Sequence, residues 1–409
     1  MRVIRRINLD SAEQLALLAL VAFLPAFEVP KKIAVVLYLA FWVINRWRLQ
    51  EWGGPWSGWD FTVLALIGGA YASAAFGAFK PDKGLGAAND VLIYGLVFLA
   101  LRRSQFEAKF LWQLLALAIL ATLVTLLYGY WGLLATKKNF YLELNSVGHV
   151  NHSAIYMAII FSVALPWAGV GIGSRRFRAM LWASVAALWV SLFVSQARGA
   201  LIPVVVFALL WIVARATMVQ RALWKPVLLL ALILGGAILI FPGVVEKTRN
   251  SAEAKQLGSY RPALAKVALL ALREYPAFGV GITNFGKIKP DVIASWQEQS
   301  GQLFSPEELL SYPHAHGLYF NTLAERGLIG TLPLLVFLAA LGLALIRGRP
   351  QTVSTPLHQT LWGAALGAWV ITAFGGLFNT TLHHEHALIA MVLFGIWLAQ
   401  TRTRLAASG

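Results

Sequence analysis

Apolar runs long enough to cross a lipid bilayer recur along almost the whole chain, and they limit the folds open to it. A membrane-spanning helix needs about 20 mostly apolar residues. Of the 409 residues, 58% are hydrophobic and only 13% are charged, whereas a soluble domain carries roughly 25% charged residues. The repeated runs therefore predict an all-α, polytopic membrane protein.

About twelve spans are expected by this criterion. Their approximate limits are 11–27, 33–48, 60–79, 86–101, 108–131, 153–171, 178–196, 199–214, 225–243, 325–346, 357–379 and 385–400. The pair 178–196 and 199–214 is joined by so few residues that a tight turn near the membrane surface is expected.

The basic residues of the short loops predict the orientation. They concentrate on one side of the expected spans, for example at Arg102, Arg103, Arg347 and Arg349. Because cytoplasmic loops are enriched in Arg and Lys, both termini are expected in the cytoplasm. The opening MRVIRR resembles the basic region of a signal peptide, but no clear cleavage site follows, so an uncleaved first helix is expected.

One long polar loop, residues 244–315, is expected between spans nine and ten on the outer side, where long loops are often functional. Within it, YRPALAKVALLALREYP predicts a helix that ends at Pro276, and Ser305 is a candidate N-cap of a second. HGLYFNTLAER predicts a third helix that Gly327 ends. With no repeat or low-complexity tail, residues 1–409 are expected to form a single membrane domain, acting as a monomer.

Charge and composition narrow the partners. The chain has no cysteine, so disulfides and thiolate metal sites are excluded. In a membrane protein, a formal net charge of +16 usually reflects orientation and contact with anionic membrane lipids. No nucleic-acid motif is present, so nucleic acid is not an expected partner, and no cofactor is implied.

Histidines are concentrated in the loops expected on the outer side. Of the eight in the chain, all except His358 fall in NSVGHVNHS (residues 145–153), at positions 314 and 316, or in NTTLHHEH (residues 379–386). If His314 and His316 lie on one helix, they point about 200° apart, so only His316 shares a face with Tyr319 and the pair cannot hold one zinc ion. Glu325 would lie on the opposite face and fix helix packing. The HHEH stretch is a polar loop or, less often, a metal site.

Two arginines occupy costly positions. Arg198 lies in the tight SQARGA turn between two apolar helices, where a charge needs an anion or an acidic partner. It could reach lipid headgroups or bind phosphate through its planar fork. Arg261 opens a predicted helix, where the macrodipole disfavours a cation. That cost suggests another use for its charge, although an exposed arginine is common.

Three motifs resemble those of the O-antigen ligase/polymerase superfamily. HGLYFNTLAERGLIG is similar to the family's histidine motif, SQARGAL to its Ser-x-Ser-Arg-Gly turn, and YRPALAKVALLALREYPAFGVGITNF to its segment from an arginine to a phenylalanine. The chain departs from the family pattern at Ala197, where serine is usual, and at Gly317, where asparagine is common. Together the motifs cover roughly residues 145–345, and the positions that match are Arg198, Arg261, Pro276, Gly279, Gly281, Phe285, His316, Tyr319, Leu323, Glu325, Gly327, Leu328 and Gly330.

The resemblance implies a GT-C-like glycosyltransferase in the bacterial cell inner membrane, with its active site facing the periplasm. The donor would be a glycan on undecaprenyl pyrophosphate, and the acceptor a sugar hydroxyl of lipid A–core. His316 would be the general base and Arg198 and Arg261 would bind the pyrophosphate, with inversion and without a metal. The secondary candidates are His314, Tyr319, Gln196, Asn151, His152 and Arg273.

Two other functions stay open. The moderate length and compact loop favour a ligase, but a polymerase that joins glycan repeats fits the same motifs. A flippase or transporter of lipid-linked sugars would need charged residues deep in several spans, and Asp90 is the main candidate of that kind.

Overall fold

The protein is a bundle of α-helices. The computed structural model describes residues 9–80, 83–135, 141–219, 260–299 and 311–408, with the single residues 227, 231, 235, 236 and 301. The helices are α1 (Leu9–Phe23), α2 (Glu28–Leu49), α3 (Gly58–Phe76), α4 (Gly84–Arg102), α5 (Ala108–Leu134), α6 (Val150–Val170), α7 (Arg175–Val194), α8 (Arg198–Met218), α9 (Tyr260–Glu274), α10 (Pro290–Gln299), α11 (Leu318–Arg347), α12 (Pro356–Trp369) and α13 (His384–Ser408).

Eight of the described helices are long and apolar enough to cross a membrane. They are α3 to α8, α11, and α12 together with its irregular continuation to Leu377. These helices support a multi-pass membrane protein, and the all-α prediction is confirmed over the described part of the chain. The total of about twelve spans stays a prediction. The spans expected at 11–27, 33–48 and 385–400 fall on α1, α2 and α13, which are not among the eight. Most of the expected ninth span, 225–243, and the helix start predicted at Ser305 lie outside the described residues.

Helix α6 forms the centre of the bundle. Most of it is buried, and it packs against α7, α8 and α12. A second layer is formed by α3, which packs against α4 and α11, while α13 lies against α4. The tight turn predicted between α7 and α8 is confirmed, since only residues 195–197 separate the two helices.

Buried charges lie at the ends of the helices and pair with one another. Asp60, near the start of α3, accepts hydrogen bonds from Arg102 at 2.6 Å and from Arg103 at 2.9 Å. Lys31 forms a buried ion pair with Glu385. Such pairing reduces the cost of these charges in an apolar bundle.

The loop before α11 has a hydrophobic core of its own. In α9, the spacing of Leu264, Val267, Ala268 and Ala271 places four small or aliphatic side chains on one face, and all four are fully buried. They pack with Phe285, Trp296, Ala315 and Ala324. The predicted helix at residues 260–274 is confirmed, and its apolar face ties the loop to the beginning of α11.

A break at Gly327 divides α11. Its φ of 56° and ψ of −157° interrupt the helix, which confirms the predicted stop. The segment 276–281 fills the break: the Val280 and Gly281 N–H groups donate to the carbonyls of Ala324 and Glu325, and the Leu328 N–H donates to the Pro276 carbonyl at 2.8 Å. Backbone groups freed by a helix break inside an apolar bundle need such partners. Segment 276–281 and the break at Gly327 are therefore held together by backbone hydrogen bonds.

Replacing Gly327 with alanine is expected to lower the melting temperature clearly. The positive φ costs a residue with a Cβ about 1–3 kcal/mol, and the added Cβ would also overlap the Ala277 carbonyl. Scanning fluorimetry of the detergent-solubilised protein measures the shift. Gly68→Ala is the matched control, because a Cβ there meets nothing within 4 Å. Equal melting temperatures for the two variants would contradict this role of the break.

Candidate active site

The starts of α8, α9 and α11 lie at one end of the bundle, which we call the histidine-rich end because it also holds residues 149–152, 314–316 and 383–386. Arg198 is the first residue of α8, Arg261 the second of α9, and His316 lies two residues before α11. The first turn of a helix carries a partial positive charge and unpaired N–H groups. Helix starts of this kind favour a bound anion.

The residues that follow α12 bring these helix starts together. The Leu318 N–H donates to the Asn379 carbonyl at 3.1 Å. Gly199 leaves no room for a Cβ, because the side chain of Asn379 fills that space. The Arg261 guanidinium lies 5.9 Å from the ring centroid of Phe378. The starts of α9 and α11 therefore contact residues 378–379 directly. In α8 the contact is made by Gly199, one residue after Arg198.

The end of α12 is irregular where it meets the site. The helix continues as a π-helical turn (Val370–Phe374) and a 3-10 turn (Gly375–Leu377). Such π-helical turns occur often at functional sites. The Tyr319 hydroxyl donates to the Ala373 carbonyl at 2.7 Å, and the Thr381 hydroxyl donates to the Thr372 carbonyl. The structure thus places Tyr319, a secondary candidate, where its hydroxyl holds this turn.

Arg198 follows a strained turn. Gln196 has a φ of 54°, which is uncommon for a residue other than glycine, and its carbonyl accepts a hydrogen bond from the Arg198 N–H at 3.1 Å. Ser195 and Ala197 are buried, whereas Gln196 and Arg198 are half-buried. The turn therefore fixes the backbone from which the Arg198 side chain extends, and Gln196 lies beside it.

The two arginines act on each other electrostatically. Although Arg261 keeps an exposed surface, partial desolvation, followed by the positive charge of Arg198, lowers the pKa of Arg261. An anion between two such cations would reduce their repulsion. Arg273 is not part of this pair: it lies twelve residues further along α9, which corresponds to about 18 Å of helix. The structure does not bring this secondary candidate to the site.

His314 and His316 do not lie on a helix, and the predicted separation of about 200° is wrong. Gly317 is the N-cap of α11, and His316 adopts a left-handed backbone conformation with a φ of 51°. The two imidazole centroids are 4.2 Å apart, and the Tyr312 ring lies 4.9 Å from that of His316. His316 is half-buried and His314 is exposed, so the histidines form an adjacent pair at the surface of the site.

A chain of hydrogen bonds that was not predicted from the sequence holds this pair. The Ala315 N–H donates to Asn321 Oδ1 at 3.0 Å, and Asn321 Nδ2 donates to Glu325 Oε2 at 3.0 Å. Glu325 also accepts from the Phe285 N–H at 3.3 Å. The four-residue spacing of Asn321 and Glu325, which faces two side chains on one helix, was the available signal. Glu325 fixes packing, as expected.

Burial keeps His316 neutral. Its pKa is lowered to about 4, first by desolvation and then by the positive charges of His314 and Arg261. Desolvation and His149 also lower the pKa of His314. Near neutral pH the imidazole of His316 therefore has a free lone pair that can accept a proton.

Acidification between pH 6.5 and 4 is expected to destabilise the protein. The unfolded chain protonates His314 and His316 near their ordinary pKa of about 6.5, whereas the folded chain resists protonation because both pKa values are lowered. Because the unfolded state binds more protons in this range, the free energy of unfolding decreases as the pH decreases. Melting temperatures measured from pH 7.5 to 4.5 should decline, and His316→Gln should reduce the slope. A slope equal to that of the wild type would contradict the lowered pKa.

Other histidines gather beside the pair. The Asn151 N–H donates to His149 Nδ1 at 3.2 Å in the first turn of α6. His152 Nδ1 lies 2.9 Å from Nε2 of the buried His386, and the His152 and His383 rings stack with centroids 5.7 Å apart. Among the described residues, no group of three or more His, Cys, Asp or Glu has the geometry to hold a metal ion. The HHEH stretch instead takes part in imidazole pairing.

A helical membrane protein with basic residues and a neutral histidine at converging helix starts is the class that this geometry defines. Residues 183–335 match the family model described as O-antigen ligase. The match includes Arg198, Arg261 and His316, and it confirms the resemblance to the O-antigen ligase/polymerase superfamily over that segment. The family implies a glycosyltransferase-type enzyme of O-antigen biosynthesis. No curated protein matches the chain.

Proposed function

We propose that the protein is an O-antigen ligase. It would transfer a glycan from undecaprenyl pyrophosphate to a sugar hydroxyl of lipid A–core, at the periplasmic face of the bacterial inner membrane. The observation that carries the proposal is the convergence of Arg198, Arg261 and His316 at three helix starts beside residues 375–379. The family match over residues 183–335 supports the reaction class.

In this proposal the acceptor oxygen attacks the anomeric carbon of the donor directly. The new carbon–oxygen bond forms as the bond from that carbon to the pyrophosphate oxygen breaks. His316 takes the hydroxyl proton, and undecaprenyl pyrophosphate leaves with the bonding electron pair. Direct displacement inverts the configuration of the anomeric carbon.

The arginines would compensate the charge of the leaving group. A guanidinium offers a planar fork that matches phosphate oxygens, and preorganised positive groups stabilise charge as it develops. The N–H groups at the starts of α8 and α9 add to this field. A metal ion is therefore not required by the proposed step.

Binding of the donor would also change the pKa of His316. The positive charges of His314 and Arg261 contribute to the lowered pKa of His316. A pyrophosphate bound at Arg261 would offset that charge, so the pKa would rise towards its ordinary value of about 6.5. His316 would thus become a stronger base when the donor is present. A general base works best when its pKa lies near the operating pH.

A reconstituted reaction tests the proposed function. The purified protein in proteoliposomes is supplied with a glycan on undecaprenyl pyrophosphate, with and without lipid A–core. A ligase should produce glycosylated lipid A–core, and EDTA should leave the rate unchanged. Longer lipid-linked glycans formed without lipid A–core would instead establish the polymerase alternative. No covalent transfer with either acceptor would refute the proposal.

A further inference from the structure

A small cavity opens beside the histidine pair, at His314. Its volume is about 230 Å³, and it is lined by residues of α3, α4, α6 and α11, by the segments at 282–283 and 313–314, and by residues 380, 382 and 383 before α13. His314 lines it, whereas neither Arg198 nor Arg261 does. The polar side chains that line it include Asp90, His152, His314, Asn321, Arg326 and His383.

The cavity offers both donors and acceptors of hydrogen bonds. His383 Nδ1 and Arg326 Nε are buried and have no hydrogen-bond partner among the described residues. Asp90 Oδ2 lies 3.3 Å from His384 Nδ1 at the edge of the cavity, and both of these side chains are nearly half exposed. Arg326 Nε is a donor, and His383 Nδ1 donates or accepts according to its tautomer. Buried polar atoms without partners are costly, so a ligand hydroxyl that pairs with them would be stabilised.

The tautomer of His152 is set by its neighbours. His386 is fully buried, which disfavours its charged form, and its Nδ1 lies 2.9 Å from the Thr381 carbonyl. That nitrogen must donate, so His386 Nε2 accepts from His152 Nδ1. In this tautomer His152 Nε2 carries no proton and can accept a hydrogen bond, for example from a hydroxyl group.

One wall of the cavity is strained. Thr283 has a φ of 66°, which is a genuine outlier for a β-branched residue. The turn that contains it is held by Glu325, which accepts hydrogen bonds from the Thr283 and Phe285 N–H groups. Strain that the surroundings maintain in this way is concentrated at binding and catalytic sites.

We propose that this cavity binds the acceptor sugar of the transfer reaction, a single pyranose ring whose reacting hydroxyl faces His316 past His314. This inference rests on the proposed function. Direct displacement requires the attacking oxygen to approach opposite the leaving group. With the leaving pyrophosphate at the arginines, the acceptor would have to lie away from them, and this cavity is lined by His314 but by neither arginine.

The size and polarity of the cavity fit one sugar ring. Its volume of about 230 Å³ is below the range of about 300–1,000 Å³ for pockets that hold drug-sized ligands. A phosphate fits less well, because the lining holds the acidic side chains of Asp90 and Glu325 as well as Arg326. The apolar side chains of Ile282, Leu318 and Leu382 could pack against the C–H face of the ring, while the polar ones bind its hydroxyls.

Kinetics of the reconstituted protein test the acceptor cavity. Ala87→Phe fills it from α4, since Ala87 is part of its lining. Gly86→Phe is the matched control, because a Cβ at this neighbouring position meets nothing within 4 Å. His152→Gln is a milder second variant. Ala87→Phe should raise the KM for lipid A–core about tenfold or more, equivalent to about 1.4 kcal/mol, with little change in the KM for the donor.

Two kinetic results would overturn the inference. An increase in the donor KM alone would assign the cavity to the donor's first sugar, and unchanged KM values in a folded Ala87→Phe protein would remove it as a sugar site. If the wild type transfers nothing, the proposed function fails. Direct binding of lipid A–core to the protein then tests whether the cavity binds a sugar. Weaker binding by Ala87→Phe than by Gly86→Phe would support a sugar cavity, while equal or absent binding would contradict it.

Discussion

Replacing His316 with alanine is expected to reduce turnover by about two to four orders of magnitude, the usual contribution of a general base. Donor binding should change little, because the neutral imidazole is not the proposed phosphate ligand. Single-turnover rates with saturating donor, compared with donor affinity measured separately, show whether the loss lies in the chemical step.

His314→Ala is the matched control for this prediction. The His314 ring lies 4.2 Å from that of His316, but His314 is the more exposed of the two and does not carry the motif position. Its replacement should have a milder effect on turnover. A folded His316→Ala protein that transfers at nearly the wild-type rate would refute the base assignment, and His149 and His152 would be tested next.

Loss of either site arginine is expected to weaken both donor binding and turnover. Removing one group that stabilises a developing negative charge costs about 10²–10³-fold in rate. Arg198→Lys and Arg261→Lys should recover only part of the activity, because lysine keeps the charge but lacks the planar fork. Donor affinity and single-turnover rates of the four variants separate the two effects.

Arg273→Ala provides the control on the same helix. Arg273 is exposed and lies about 18 Å along α9 from Arg261, so its loss should leave donor binding close to that of the wild type. If Arg261→Ala behaves like Arg273→Ala, Arg261 does not bind the pyrophosphate. Arg198 would then have to stabilise the leaving group without it.

Local sequence patterns predicted two features of the helices around the site. The apolar face of α9 predicted its helix, and Gly327 predicted the break in α11. The start of α11 was harder, because Gly317 is the N-cap and no Ser, Thr, Asp or Asn marks that position. A helix extended back to His316 fitted the same periodicity, and it gave the wrong relation between His314 and His316.

Tertiary contacts account for the rest of the site. The hydrogen bond between His152 and His386 joins residues 234 positions apart, and no local pattern specifies such a pair. The backbone bonds from segment 276–281 to the break in α11 are equally non-local. The sequence could identify the residues on each side of these contacts as unusual. Only the packing of α6, α11 and α13 brings them together.

The configuration of the new glycosidic bond tests direct displacement most directly. Lipid A–core glycosylated by the purified protein, from a donor of known anomeric configuration, can be analysed by NMR. Attack by an acceptor hydroxyl deprotonated by His316 predicts complete inversion at the anomeric carbon. Retention would require a covalent glycosyl-enzyme intermediate or another stepwise route, and it would contradict the proposed mechanism.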